Sequence, residues 1–194
     1  MPGRKEIRHQ MRAQRAELSP AFRHHASTLI CKQCIKTGAF RSSQRIACYF
    51  PCNGEVDLFP LVEQAWAMGK TCYLPILDDF KNNHLLFAPF HQGDILHRNR
   101  FGIPEPTISR RRCLSARHLD LILTPLVAFD TSGNRIGMGG GFYDRTLAFL
   151  KQRRSWHRPR VYGIAYEFQK TRHIAPEPWD VPLHGIVTEA NIYK

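Results

Sequence analysis

The chain has 194 residues, enough for one domain with a substantial core and too few for two ordinary ones. Its 43% hydrophobic and 23% charged residues place it among globular chains and exclude a disordered one, and no segment approaches the ~18 uninterrupted apolar residues of a membrane span. A formal charge of +12 favours polyanionic partners, whether nucleic acid, nucleoside triphosphates or polyglutamylated cofactors.

The amino terminus, MPGRKEIRHQMRAQRAEL, lacks the apolar segment that directs secretion. It is Arg-rich and amphipathic like a transit peptide, but Glu6 and Glu17 argue against import, so a cytoplasmic location is expected. Ile7, Met11 and Leu18 recur at helical spacing while Arg4, Arg8, Arg12 and Arg15 form a second stripe, which reads as one packed face and one cationic ridge. Ser19-Pro20 stops this helix and starts another that runs to about Thr37. RIACYF at 45–50 and TCYLPIL at 71–77 read as strands, with a helical period over 57–68 between them; that is a βαβ unit with parallel strands.

LLFAPF at 85–90 is a shorter strand, followed by an irregular Arg- and Pro-bearing region to about Arg117. LDLILTPLVAF at 119–129 is a nearly continuous apolar run, as expected of one central strand buried on both faces. A helix after Asp144 ends in the basic cluster Lys151, Arg153, Arg154, and RVYGIAY at 160–166 and GIVTEANIY at 185–193 supply the last strands. The pattern predicts a single-domain, three-layer α/β fold over residues 1–194 with a mainly parallel central sheet, and ligands bound beyond the carboxyl ends of strands. In a reducing compartment the six cysteines stay free; Cys31 and Cys34 form a CxxC without a second pair at zinc spacing, and Cys48 and Cys72 read as small buried hydrophobes.

The most informative stretch is PLVAFDTSGNRIGMGGGFYDRTL at 125–147, a strand running into a glycine-packed loop that ends where a helix can begin. Gly137, Gly139, Gly140 and Gly141 leave backbone N–H groups open to a ligand, Arg135 adds a full cation, and the helix starting near Asp144 turns its positive end to the loop: a place for phosphate. Two look-alikes fail. Gly69-Lys70-Thr71 resembles the tail of a Walker loop, but Gln64 stands where its first glycine belongs and the triplet precedes a strand. GMGGGF has Phe142 where the dinucleotide fingerprint needs its third glycine, and Asp130 lies before the loop instead of after it.

The run from Asn134 to Asp144 resembles the signature of the 5-formyltetrahydrofolate cyclo-ligase, or methenyltetrahydrofolate synthetase, family. YFPCNGEVD at 49–57, FGIPEP at 101–106 and WDVPL at 179–183 follow the same family pattern in order, so the resemblance spans nearly the whole chain. It implies an ATP- and magnesium-dependent cyclisation of 5-formyltetrahydrofolate, with or without a polyglutamate tail, to 5,10-methenyltetrahydrofolate, ADP and phosphate, by a monomer that needs neither membrane nor nucleic acid. It further implies ATP contacts from Arg4, Lys5, Arg8, Arg135, Ile136, Gly137, Met138, Gly139, Gly140, Gly141, Phe142 and Tyr143. Folate contacts would come from Phe50, Glu55, Phe101 and Tyr143, magnesium ligands from Asp144 and Asp180, and catalytic roles from Arg135 and Asp144. Arg4 stands where the family has Lys, and His184 where it tends to have Asp.

Each of these residues also has a plainer reading. The Arg stripe suits a solvated face, Glu55 and Asp144 suit acids at helix amino termini, and Phe50 and Phe101 suit the core. A basic nucleic-acid-binding protein and a non-catalytic folate binder remain alternatives, although the chain carries no recognised nucleic-acid-binding motif.

Overall fold

The computed structural model describes residues 3–78, 80, 81, 83–152 and 158–194. Helices α1 (Arg4–Ala16), α2 (Pro20–Lys36) and α3 (Gly38–Arg41) precede strand β1 (Arg45–Ala47), and α4 (Phe59–Ala67) leads into β2 (Thr71–Leu77) and β3 (Leu85–Phe90). A hairpin of β4 (Leu96–Arg98) and β5 (Pro104–Pro106) follows. Next come β6 (Leu121–Pro125), a second hairpin of β7 (Ala128–Phe129) and β8 (Arg135–Ile136), α5 (Phe142–Leu147), β9 (Arg160–Ile164), β10 (Gly185–Val187) and β11 (Ile192–Tyr193). The start of α2 follows its sequence: Ser19 Oγ accepts the Phe22 N–H at 3.2 Å, and Pro20 occupies the first turn.

Seven strands form one sheet in the order β11-β10-β9-β6-β1-β2-β3. The five inner strands are parallel; β3 and β11 run antiparallel at the two edges. Alternation along the strands makes three layers. Ile46, Cys72, Leu121, Leu123 and Val187 face the α2–α4 layer, while Ala47, Tyr73, Ile122, Val161 and Ile186 face Phe129, Leu147 and Phe149 on the other side. Cys48 and Cys72 are buried, as their strand-like surroundings suggest.

Three expected elements differ. The strand expected at 45–50 ends at Ala47: Cys48 N–H still donates to the Tyr73 carbonyl at 2.9 Å, but the chain then bends away toward Pro51, which has no N–H for a ladder. The apolar run 119–129 is not one strand. It leaves the main sheet after Pro125, the side-chain amide of Gln169 takes the Leu126 and Val127 carbonyls at 2.9 and 2.8 Å, and Ala128–Phe129 pairs with β8 instead. The last helix is a six-residue α5 continued by a 3₁₀ turn over Ala148–Gln152; Arg153 and Arg154 of the expected basic cluster lie outside the described residues.

Strand β1 continues through α4 to β2 on one side, whereas β6 continues to β9 on the other. The sheet order therefore reverses between β1 and β6, and the loops leaving their carboxyl ends diverge to open a crevice. One of those loops carries Glu55 and the other leads to the glycine run.

The β7–β8 turn is fastened to the far end of the chain, since Leu183 N–H donates to the Gly133 carbonyl at 2.9 Å. Gly133 has φ +84°, and a Cβ there would stand 2.9 Å from the Leu183 carbonyl oxygen. Gly133→Ala should lower stability by about 2 kcal/mol in a denaturant titration. Gly38→Ala, in open space on α3, should be neutral or slightly stabilising.

Candidate active site

Strand β8 delivers Arg135 to the crevice as a buried cation. Its Nη2 pairs with Asp144 Oδ1 at 2.6 Å and its Nη1 donates to the Val181 carbonyl; Val181 N–H in turn donates to the same Asp144 oxygen at 3.2 Å. One guanidinium thus ties the start of α5 to the segment that carries Asp180. Asp144 lies in the first turn of α5, two residues inside a helix that begins at Phe142 and not at Asp144.

The glycine run makes the turn into α5. Gly141 caps the helix at φ +68°, a left-handed conformation that strains any residue with a Cβ. Gly139 and Gly140 are exposed, which leaves their backbone open to a ligand. Helix α1 closes the loop from the other side: Arg8 Nε donates to the Gly137 carbonyl at 2.8 Å, while Arg4 pairs with Asp180 and donates to the Ala175 carbonyl at 2.9 Å. Burial works to raise the Asp180 carboxyl. The Arg4 hydrogen bond, the Glu177 N–H and the Arg4 and Arg135 charges outweigh it and hold the group below the ordinary carboxylate range.

Glu55 sits on the opposite wall. Its carboxylate is buried, with Oε2 accepting the Cys52 N–H at 3.1 Å and facing the Cys52 thiol at 3.4 Å. Desolvation pushes its pKa up against the opposing pull of the Cys52 N–H and the Arg15 charge. Tyr143 links the two walls: burial raises its hydroxyl pKa, Glu55 raises it further, and Arg135 opposes both. Tyr143 thus lies in the field of both Glu55 and Arg135.

The structure brings Arg4, Arg8, Arg135, the glycine run, Tyr143, Asp144 and Asp180 together, with Glu55 adjoining through Tyr143. Phe101, at the tip of the β4–β5 hairpin, packs edge-on against Phe142 with ring centroids 5.8 Å apart and is 56% exposed, so it overhangs the start of α5 and is not core. Phe50 packs against Phe90 instead. Lys5 is exposed and has no hydrogen-bond or ion-pair partner among the described residues. Met138 is 41% exposed on the loop, whereas the Ile136 side chain is buried with Ile7, Ala128 and Ile174 and can offer a ligand only its backbone.

Arg15 is not on the ridge; it is 1% exposed, with Nη1 3.9 Å from Glu55 Oε1. The spacing carried the signal, because Ile7, Met11, Arg15 and Leu18 are successive i+4, i+4 and i+3 positions of one helix face. Beside this face a cleft of about 630 Å³ opens between α1, α2 and the Asn53–Gly54 turn, with His9, Arg12 and Arg23 on its walls.

A glycine run at a sheet switch point, with cations and a buried carboxylate on the loops around it, defines an α/β protein of the kind whose ligands sit beyond the carboxyl ends of the strands. The sequence matches the 5-formyltetrahydrofolate cyclo-ligase family over residues 1–189, and the chain belongs to that family. It is similar to 5-formyltetrahydrofolate cyclo-ligase of Haemophilus influenzae, 37% identical over 186 residues that cover 95% of this chain and 96% of that one. The Escherichia coli K12 protein of the same name is 41% identical over 149 residues, 77% of this chain and 80% of that one. The solved 5,10-methenyltetrahydrofolate synthetase of Aquifex aeolicus superposes with a TM-score of 0.82 at 31% identity, covering 98% of this chain and 92% of that one. The Mycoplasma pneumoniae synthetase superposes with a TM-score of 0.74 at 25% identity, covering 97% and 99%.

The Arg4–Asp180 pair gives a pH test. Because the folded carboxyl titrates below its unfolded value, its stabilisation is present above the unfolded pKa and disappears as pH falls through the folded one. Arg4→Ala should be less stable than the parent by at most about 1 kcal/mol at pH 7, and the difference should close as the pH falls below the ordinary aspartate pKa of about 3.9 and through the lower folded one. Denaturant titrations of both proteins across that range read it directly.

Proposed function

We propose that this chain catalyses the ATP-dependent cyclisation of 5-formyltetrahydrofolate to 5,10-methenyltetrahydrofolate with release of ADP and phosphate. The observation that carries the reading is the family match over residues 1–189, joined to a site in which Arg135, Asp144 and the glycine run meet at the β1/β6 switch point that also leads to Glu55. A phosphoryl group held at the glycine run and a formyl group held near Glu55 would then meet without diffusion between sites.

In the proposed sequence the formyl oxygen attacks the γ-phosphorus and displaces ADP. N10 of the folate then closes on the activated formyl carbon with loss of its proton, and the carbon–oxygen bond breaks to free phosphate. The protein positions and stabilises charge; it forms no bond itself. Arg135 and the exposed glycine amides face the phosphoryl oxygens as charge moves onto them. Arg8 and Arg4 hold the loop and the Asp180 segment against the nucleotide. Glu55 accepts hydrogen bonds from the pterin or formamide edge, Phe50 and Phe101 contribute apolar cover, and burial keeps Tyr143 a neutral hydroxyl that can donate to either ligand.

Magnesium fits the residues present in one form. Among the described residues no group of three or more acids, histidines or cysteines could enclose a metal. Asp144 and Asp180, joined through Val181, offer the one or two carboxylates that magnesium takes together with phosphate oxygens and water. When bound there it would neutralise phosphate charge. The cationic cleft beside α1 would accommodate the carboxylates of a polyglutamate tail, and the working unit would be a cytoplasmic monomer. No helix among the described residues is long and apolar enough to cross a membrane.

Incubation with ATP, magnesium and 5-formyltetrahydrofolate should produce the absorbance of the methenyl product in proportion to enzyme. Ligand binding without that product would identify a folate binder instead. Arg135→Ala should lower kcat by at least ~100-fold in this assay, because its interaction strengthens as charge develops. Asp144→Asn should need much more magnesium for turnover, whereas an unchanged magnesium dependence would leave Asp144 only its structural bonds to Arg135 and Val181.

A further inference from the structure

Arg15 is among the largest fully buried side chains of the protein, yet its Nε and Nη2 have no hydrogen-bond partner. Other arginines on these helices spend their donors on backbone: Arg23 gives Nε and Nη2 to the Leu18 carbonyl at 3.0 and 2.8 Å, and Arg8 gives Nε to Gly137. A structural staple would do the same. Arg15 instead brings a bare guanidinium to 3.9 Å from Glu55 Oε1, while the other carboxylate oxygen is already engaged by Cys52. Burying a charge with so few hydrogen bonds is costly, and such an exception calls for a function.

The backbone fixes this approach. Asn53 and Gly54 have φ +50° and +75°, and the turn sits so close to α1 that a Cβ at Gly54 would stand 3.3 Å from the Arg15 carbonyl oxygen. The next residue is Glu55, so its carboxylate is delivered against Arg15 by the contact between turn and helix. Around Glu55 lie Cys52 from its own loop, Tyr49 from the end of β1, Tyr143 from α5 and Arg15 from α1. Burial raises both tyrosines, and burial followed by Glu55 itself pushes the Cys52 thiol up to about 11. All three are therefore neutral at physiological pH, and among these groups Arg15 is the one full charge.

We propose that Arg15 is a positioning residue for the folate site: without touching either substrate, it holds the Glu55 carboxylate charged and aimed at the pterin or formamide edge. This rests on the assignment of Glu55 to the folate above. Helix α1 then serves both substrates, with Arg4 and Arg8 at the phosphate loop and Arg15 two turns further on behind the carboxylate.

The test is the pH dependence of kcat/KM for 5-formyltetrahydrofolate in the wild type, Arg15→Gln, Arg15→Lys, Glu55→Gln and the Arg15→Gln/Glu55→Gln double variant. In Arg15→Gln the acid limb should move up by about one pH unit, the size of effect an opposite charge at this distance exerts, and kcat/KM at pH 7 should fall roughly tenfold. KM for ATP should stay within about twofold, Arg15→Lys should keep the wild-type limb, and the double variant should be no worse than Glu55→Gln alone. An unmoved limb, an equal rise in the ATP KM, or additive losses in the double variant would overturn the proposal. Should Arg15→Gln not fold, Arg15→Lys decides, since a limb displaced although the charge is kept would also overturn it. Failure of the underlying reading looks different: the wild type would form no methenyl product, or Glu55→Gln would leave folate affinity intact in a calorimetric titration.

Discussion

The bidentate hold of Arg135 on Asp144 and on the Val181 carbonyl is the constraint on which the site depends. Burying a guanidinium to this degree is costly, and pairing and hydrogen bonds offset that cost. Here the pairing joins three stretches distant in sequence: the β7–β8 hairpin, the first turn of α5 and the 179–183 segment. It acts together with the Val181 N–H to Asp144 bond and the Leu183 N–H to Gly133 bond, which hold the same stretches in register. The arrangement also couples the ligand-free state to the liganded one. The cation and carboxylate that now neutralise each other are the groups a phosphate and its counter-ion would compete for.

The fold supplies the second constraint. The sheet order reverses between β1 and β6, so the loops leaving those neighbouring strands open away from each other at the same end of the sheet. The Glu55 loop and the route to the glycine run are those two loops. Helix α1 is tied to the glycine loop by Arg8 and to the Asp180 segment by Arg4, and Arg15 brings it to the Glu55 loop. A basic helix on the surface thereby becomes part of the interior of the site.

Much of this was legible in the sequence because local chemistry and global fold agree. The βαβ pairing of β1 with β2 followed from the alternation of strand-like and helical periods, and the glycine loop with Arg135 and Asp144 stood out because a plain turn needs fewer glycines. What failed to read did so for physical reasons. The 119–129 run is apolar throughout, so its composition hides the point after Pro125 where Gln169, more than 40 residues away, takes over the strand's carbonyls. Arg15 belongs by residue type with the exposed arginines, although its spacing places it on the packed face. The clip from Arg135 to Val181 runs through a backbone carbonyl, which no side-chain pattern reveals.

The central claim is that the two walls present a phosphoryl group directly to the formyl oxygen. The most direct measurement uses 5-formyltetrahydrofolate carrying ¹⁸O in the formyl group, with the released phosphate analysed by mass spectrometry after single turnovers. If the oxygen attacks phosphorus and leaves with it, the label appears in inorganic phosphate, one atom per methenyl product formed. Unlabelled phosphate accompanying stoichiometric methenyl product would mean that ATP is hydrolysed apart from the formyl group, and would contradict the account.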